Sequence, residues 1–434
     1  MAKLEHHRIR SLRTNGRTTA GLPPWPAQRG WGGTLAALAI GLVLTCVATQ
    51  AVQAQTFNVL YTFTGQGDGA NPYAGLTMDA TGSLYGTTYA GGSYGKGTVF
   101  ELRRSGSEWI IMTLYSFKGG TDGAQPRARV IFGPDGALYG TTFSGGGTGC
   151  GGQGCGTVFS LRAPVWKESV LYRFTGGTDG GLPLGDLVFD KQGSIYGTTQ
   201  QGGVPHKCGG LGCGVVFKLS HRSVMWSETP IYQFTGLSDG ITPNGGVVFD
   251  RSGNLYGTTV SGGSGNFGTV FQLTPSGSGW THQILYSFQD LADGKLPNSG
   301  VILDSSGNLY GTTVFGGTGL GGTVFQLSPS GGSWTFKLVY GLVGNAGPFG
   351  NLSLDAASNL YGTTWQDGNY VAGSVLKLMP SHGSWIYQSL HDFTGGNDGE
   401  YSLSNVIFDA SGNMYGTAAY GGANGDGVIM QITP

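Results

Sequence analysis

The chain has 434 residues, of which 84 are glycine and only 11% are charged, for a formal net charge of −1. Residues 1–54 hold six of the basic residues and one of the acidic ones, so 17 basic face 23 acidic residues in the remainder. A mildly acidic chain lacks the positive footprint that phosphate backbones require, which excludes nucleic acid as a partner.

The first 54 residues differ from the rest. Lys3, Arg8, Arg10, Arg13, Arg17 and Arg29, against Glu5 alone, precede an uncharged apolar stretch from Thr34 to Val47 and a small-residue site at Val52-Gln53-Ala54. That order predicts a secretory signal cut after Ala54. An uncleaved N-terminal anchor is the alternative reading, although spanning takes about 20 apolar residues. No adjacent arginine pair precedes the apolar stretch, so general secretion is expected, with the mature chain secreted, periplasmic or on the cell surface and free of the membrane.

From residue 55 onward the sequence is one unit repeated. Tyr-Gly-Thr-Thr, or a one-residue variant, starts at Tyr85, Tyr139, Tyr196, Tyr256, Tyr310, Tyr361 and Tyr415. Self-similarity at a period of this size marks a repeat architecture. In the copy from Ala74 to Phe117 the predicted strands are Ala74–Asp79, Leu84–Tyr89, Gly97–Leu102 and Trp109–Phe117, rich in β-branched and aromatic residues and punctuated by glycine turns. Seven four-stranded antiparallel sheets predict an all-β, seven-bladed β-propeller over residues 55–434. The last copy supplies only Asn405–Asp409, Met414–Ala418 and Gly427–Thr433, and its missing fourth strand stands at the other end as Phe57–Phe63. Pairing of the two would close the ring and remove an open edge.

Most shared residues have structural roles. Asp79, Asp190, Asp250, Asp304, Asp355 and Asp409 precede the first hairpin, where a carboxylate caps backbone donors, and Gly133 takes that place in the second copy. Trp109, Trp166, Trp226, Trp280, Trp334 and Trp385 open the fourth strands and are expected to wedge blades together. Asp-Gly at Asp68, Asp122, Asp179, Asp239, Asp293 and Asp398 lies in the crossings between blades and reads as turn chemistry rather than a ring of metal ligands.

The consensus, roughly Asp-Gly-x-x-Pro, then Leu-x-x-Asp-x-x-Gly-Asn-Leu-Tyr-Gly-Thr-Thr, then Gly-Thr-Val-Phe-x-Leu, resembles the bacterial extracellular tandem repeat of Gloeobacter/Verrucomicrobia type. The resemblance covers about residues 57–434 and is tightest at Asn254–Thr259 and Asn308–Thr313. It implies an exported, surface-associated protein with no established activity. The Asp-x-x-Gly-Asn-Leu-Tyr turn also looks like that of NHL and streptogramin-lyase propellers, a likeness of one hairpin that carries no function.

Cys150, Cys155, Cys208 and Cys213 form two Cys-Gly-Gly-x-Gly-Cys loops at equivalent places in consecutive repeats. In an exported chain these read as disulfides, with the two within-loop pairs needing the least rearrangement; a shared four-thiolate zinc site is the alternative.

If the repeats are scaffold, function lies where copies depart from them, on the face shared by the crossings and the second-to-third-strand loops. In the sixth copy Trp365, Asp367, Asn369 and Tyr370 suit a sugar, an apolar ring face stacking on the aromatics while hydroxyls meet the polar groups. His206 and Lys207 in the third copy could supply a base. Arg127 and Arg129 in the second could pair a carboxylate. Asp186, Lys295, Glu400 and Tyr401 are further unrepeated residues on the crossings. No zinc-enzyme histidine spacing, nucleophile elbow or phosphate loop is present. The expectation is a monomeric, cofactor-free binding propeller for a polysaccharide or cell-surface protein. A carbohydrate-active lyase or hydrolase and a structural envelope role are the alternatives.

Overall fold

The computed structural model describes residues 55–222, 225–290 and 292–434. The N-terminal segment read above as a signal lies outside the described residues. Seven antiparallel sheets, one per repeat, form a β-propeller. The first blade consists of Thr77–Met78, Leu84–Thr88, Thr98–Ser105 and Glu108–Ser116. The other blades repeat this order, and a single short 3-10 turn, Cys208–Gly210, interrupts the all-β pattern among the described residues.

The ring closes as the sequence predicts. Thr56–Thr62 pairs antiparallel with Val428–Thr433, Phe57 opposite Ile432, so the seventh blade is assembled from both ends of the described chain. The first strands are shorter than predicted, two paired residues where Ala74–Asp79 gave six and Asn405–Asp409 five. The residues before it line the axis and have no neighbouring strand to pair with.

The Tyr-Gly-Thr-Thr motif is explained residue by residue. The tyrosine hydroxyl donates to the turn aspartate, at 3.2 Å from Tyr85 to Asp79 and 3.0 Å from Tyr415 to Asp409. That same aspartate accepts backbone N–H groups from the turn, as Asp79 does from Thr81 and Ser83. In the second blade a side chain at Gly133 would strike Tyr139, and Asp135, two residues on, takes over the bond to Tyr139. The glycine leaves room for the third-strand aromatic: a Cβ at Gly86 would lie 2.5 Å from Phe100. The first threonine reaches the next blade, Thr87 donating to the Ala128 carbonyl at 3.0 Å and Thr198 to that of Gly245 at 2.8 Å. The second threonine pairs with the third strand, as in Thr88 with Thr98 at 2.8 Å.

The hydrophobic core sits between blades rather than within them. Phe63, Phe117, Phe174, Phe234 and Phe288, at the ends of outer strands, meet Phe100, Phe159, Phe217, Phe271 and Phe325 of the following blades edge-on, at centroid distances of 5.1–5.3 Å. Each ring is almost wholly buried, and burial of one such side chain contributes roughly 2 kcal/mol. The strand-opening tryptophans also bridge blades, Trp280 packing on Tyr196 and Trp385 on Tyr310 of the blade before.

The crossing aspartates serve turns. Tyr61 donates to Asp68, Tyr115 to Asp122 and Tyr232 to Asp239 at 2.8–2.9 Å, while backbone N–H groups of Thr64, Lys118 and Thr235 donate to the same carboxylates. No cluster among the described residues could hold a metal ion. The four cysteines are joined as Cys150–Cys155 and Cys208–Cys213, which replaces the zinc alternative.

One element is unforeseen. The outer strand of the fifth blade, Ser333–Ala346, runs into the crossing and pairs there with Gln366–Asp367, which becomes the fifth strand of that sheet. In the first copy Gly91 packs directly on the crossing backbone of Gly69. The sixth copy has Asp367 in that slot and Gly344 where the crossing aspartate would be, so the two segments pair as strands, Gly344 opposite Asp367.

Candidate functional site

The residues that follow the crossing prolines approach the axis in extended conformation, so alternate side chains face the channel. In the first slot stand Tyr73, Arg127, Leu184, Asn244, Asn298, Phe349 and Leu403, one per blade, and all line a cavity of about 450 Å³. The second slot is small in every copy, Ala74, Gly245 or Ser404 for example; its carbonyl receives the preceding blade's threonine, and a Cβ at Gly245 would lie 2.2 Å from the Gly300 backbone nitrogen of the next blade. The third slot spans the channel: Arg129 Nε lies 2.8 Å from Asp186 Oδ2, and Asn351 Nδ2 donates to the same oxygen at 3.5 Å. Asp186 is thereby held from the second and sixth blades at once. Trp365, Tyr420 and Gln200, from the second-to-third-strand loops, complete the wall.

Aromatic rings form a continuous arc over three blades, the sixth, seventh and first. Phe349 meets Trp365 at 5.1 Å, Trp365 meets Tyr401 at 6.0 Å, and Tyr401 meets Tyr420 at 6.1 Å. Tyr420 shares a 2.5 Å hydroxyl hydrogen bond with Tyr73, whose ring lies 5.0 Å from that of Tyr89. Burial, with the Tyr420 hydroxyl, pushes the Tyr73 phenol well above its ordinary value. The arc ends at Arg127, whose guanidinium lies 4.8 Å from the Tyr89 centroid and 4.3 Å from that of Phe143. The opposite wall is amide-lined, Asn244 Nδ2 donating to Asn298 Oδ1 at 2.8 Å. Arg127 Nε, Asn244 Oδ1 and Asn351 Oδ1 are buried without a hydrogen-bond partner.

The structure brings Trp365, Arg127 and, through Asp186, Arg129 to one cavity. Tyr401 stands beside them in the arc, and the other residues singled out in the sequence lie elsewhere. Asp367 is buried and bonded to Thr364, and burial raises its carboxyl. Asn369 is exposed and tied to Asp392 at 2.6 Å, and Tyr370 is 61% exposed. His206 and Lys207 are exposed on the disulfide loop, outside the cavity lining. Lys295 pairs with Asp290, and Asp398 is bound by His391 and Thr394 in its crossing, as turn chemistry requires. Tyr73, Tyr420, Phe349, Asn244 and Asn298 were not singled out. Their signal is the slot: the position after the crossing proline carries five different residue types across the seven copies, Tyr, Arg, Leu, Asn and Phe, while the position that follows it holds only Ala, Gly or Ser. A second cleft, about 590 Å³, lies at the junction of the seventh and first blades, but its Asp79 and Asp409 are committed to turns.

The family model of the Gloeobacter/Verrucomicrobia repeat matches residues 45–211 and 203–430. The chain belongs to that family. Its seven copies of the Gloeobacter/Verrucomicrobia repeat are thus the seven blades. No curated protein matches the chain. Among solved structures, a Bacteroides fragilis protein assigned as a 6-phosphogluconolactonase is 14% identical, with a TM-score of 0.50 over 83% of this chain and 98% of its own. An ulvan lyase, representing a new family of polysaccharide lyase, is 13% identical, with a TM-score of 0.49 over 85% of this chain and 94% of its own. A Bacteroides uniformis protein, again assigned as a 6-phosphogluconolactonase, is 12% identical with a TM-score of 0.49, covering 81% and 98%. At these identities the likeness to the Gloeobacter/Verrucomicrobia repeat propeller is one of fold alone.

Proposed function

We propose that the protein is an exported, non-catalytic binding propeller that takes a saccharide in its channel mouth. The observation that carries this reading is the wall itself, an aromatic arc facing amides around a cavity of about 450 Å³. A pyranose ring has an apolar face for Trp365 and hydroxyls for Asn244 and Asn298, and pockets of this kind fix orientation with few polar groups. Export is supported by two disulfides, which persist in oxidising compartments.

The same wall offers no carboxyl pair for glycoside hydrolysis. Glycoside hydrolysis takes two carboxyls roughly 5–10 Å apart. Asp186 is the one carboxyl of the lining, and Arg129 and Asn351 engage it.

A glycan array and a polysaccharide-degradation screen on the full chain, repeated with Trp365→Ala, test the reading. Loss of a stacked ring is expected to weaken the bound glycan at least tenfold, about 1.4 kcal/mol. Binding unchanged by the substitution would reject the site, and release of shortened sugars would replace binding with catalysis.

A further inference from the structure

Resting on the saccharide reading above, we infer that the ligand is acidic: a glycan bearing a uronic-acid carboxylate, which Arg127 receives at the end of the aromatic arc. Two charged side chains line the cavity, Arg127 and Asp186. Asp186 is already neutralised, its Oδ2 at 2.8 Å from Arg129 Nε and its Oδ1 accepting the Arg129 backbone N–H at 3.1 Å. Arg127 has no carboxylate within ion-pair distance among the described residues, so the wall carries one uncompensated positive charge.

Arg127 is also set up to receive an anion. The rings of Tyr73, Tyr89 and Phe143, 4.3–5.9 Å away, pack against the guanidinium of the half-buried Arg127 and hold it in place. Its Nε is buried and unpartnered. A planar, half-buried guanidinium with donors to spare is matched by a carboxylate, which accepts two parallel hydrogen bonds. A neutral sugar would leave that donor unsatisfied, a loss that discriminates far more strongly than a missing methylene. The other two orphaned atoms of the cavity, Asn244 Oδ1 and Asn351 Oδ1, are acceptors. They suit hydroxyl donors, so one acidic sugar answers all three, its carboxylate at Arg127, its hydroxyls at the two amides and its ring face toward Trp365.

The test is calorimetric titration of the full chain with an oligoglucuronate, with the same oligomer reduced at C6 to the neutral glucoside, and with a sulfated neutral oligomer. The uronate is expected to bind at least tenfold more tightly than its reduced form, and Arg127→Gln to bring the two within about twofold. On the unaltered chain, uronate affinity should fall between 50 and 500 mM salt while binding of the neutral oligomer stays level, a readout that survives if the variant fails to fold. Equal affinity for uronate and reduced oligomer, with both lost in Trp365→Ala, would overturn the acidic ligand and leave saccharide binding standing. Preference for the sulfated oligomer would overturn the carboxylate. No binding of any saccharide would overturn both readings.

Discussion

Thr417 of the seventh blade donates its hydroxyl to the carbonyl of Ala74 in the first, at 3.0 Å, repeating the bond from Thr87 to Ala128. The ring is thus sealed by the same inter-blade contact that joins its members elsewhere, in addition to the paired end strands.

If the seam is equivalent to other joints, Thr417→Val should cost the same as Thr87→Val. Each leaves a buried carbonyl short of a partner, about 1–3 kcal/mol. Urea unfolding of the two variants checks this, and a seam variant that is much the weaker would show closure to be special.

Stability should fall as pH rises from about 4.5 to about 8. Burial raises Glu168 to about 7 and Glu228 to about 8 from an ordinary 4.5, with Asp122 and Asp179 adding repulsion. A carboxyl raised in the folded state binds its proton more tightly there, so its contribution is complete below about 4.5 and is lost as pH climbs through 7–8. The turn carboxylates Asp79, Asp355 and Asp409, lowered by hydrogen bonds against the opposing effect of burial, act oppositely and weaken the fold in acid. A Tm–pH profile should therefore peak in mildly acidic solution, and Glu168→Gln with Glu228→Gln should flatten its alkaline limb.

Two tryptophans should separate stability from binding. Trp280 wedges against Tyr196 between blades, whereas Trp365 lines the cavity. Trp280→Ala is expected to lose about 2 kcal/mol, less than a fully buried ring because Trp280 is half-buried, with ligand affinity kept. Trp365→Ala is expected to do the reverse, as denaturation and titration of both variants would reveal.

Reduction of Cys150–Cys155 and Cys208–Cys213 opens two short loops, each closing five residues of separation. Chain-entropy arguments put the loss near 2 kcal/mol apiece. Because neither loop lines the cavity, ligand affinity measured in reductant should stay within about twofold while Tm drops.

The sequence by itself determined the blades. Tyr85 and Asp79, or Gly86 and Phe100, lie within one repeat, so their contact is encoded locally and copied with each unit. The phase of the strands and the disulfide loops were legible for that reason, the tryptophan wedges because Trp recurs at one repeat position, and the unpaired segment at Phe57 announced closure. The cavity was only partly legible. Arg127 and Trp365 stood out as departures from the repeat, but so did His206, Asn369 and Tyr370, which lie off the cavity. Tertiary structure decided between them, because the site takes one side chain from each blade. Tyr73 and Tyr420, separated by 347 positions, touch at 2.5 Å only once the ring has closed. Whether a variable residue faces the axis depends on its place after the crossing proline, where chain direction and the small second-slot residue turn its neighbours inward.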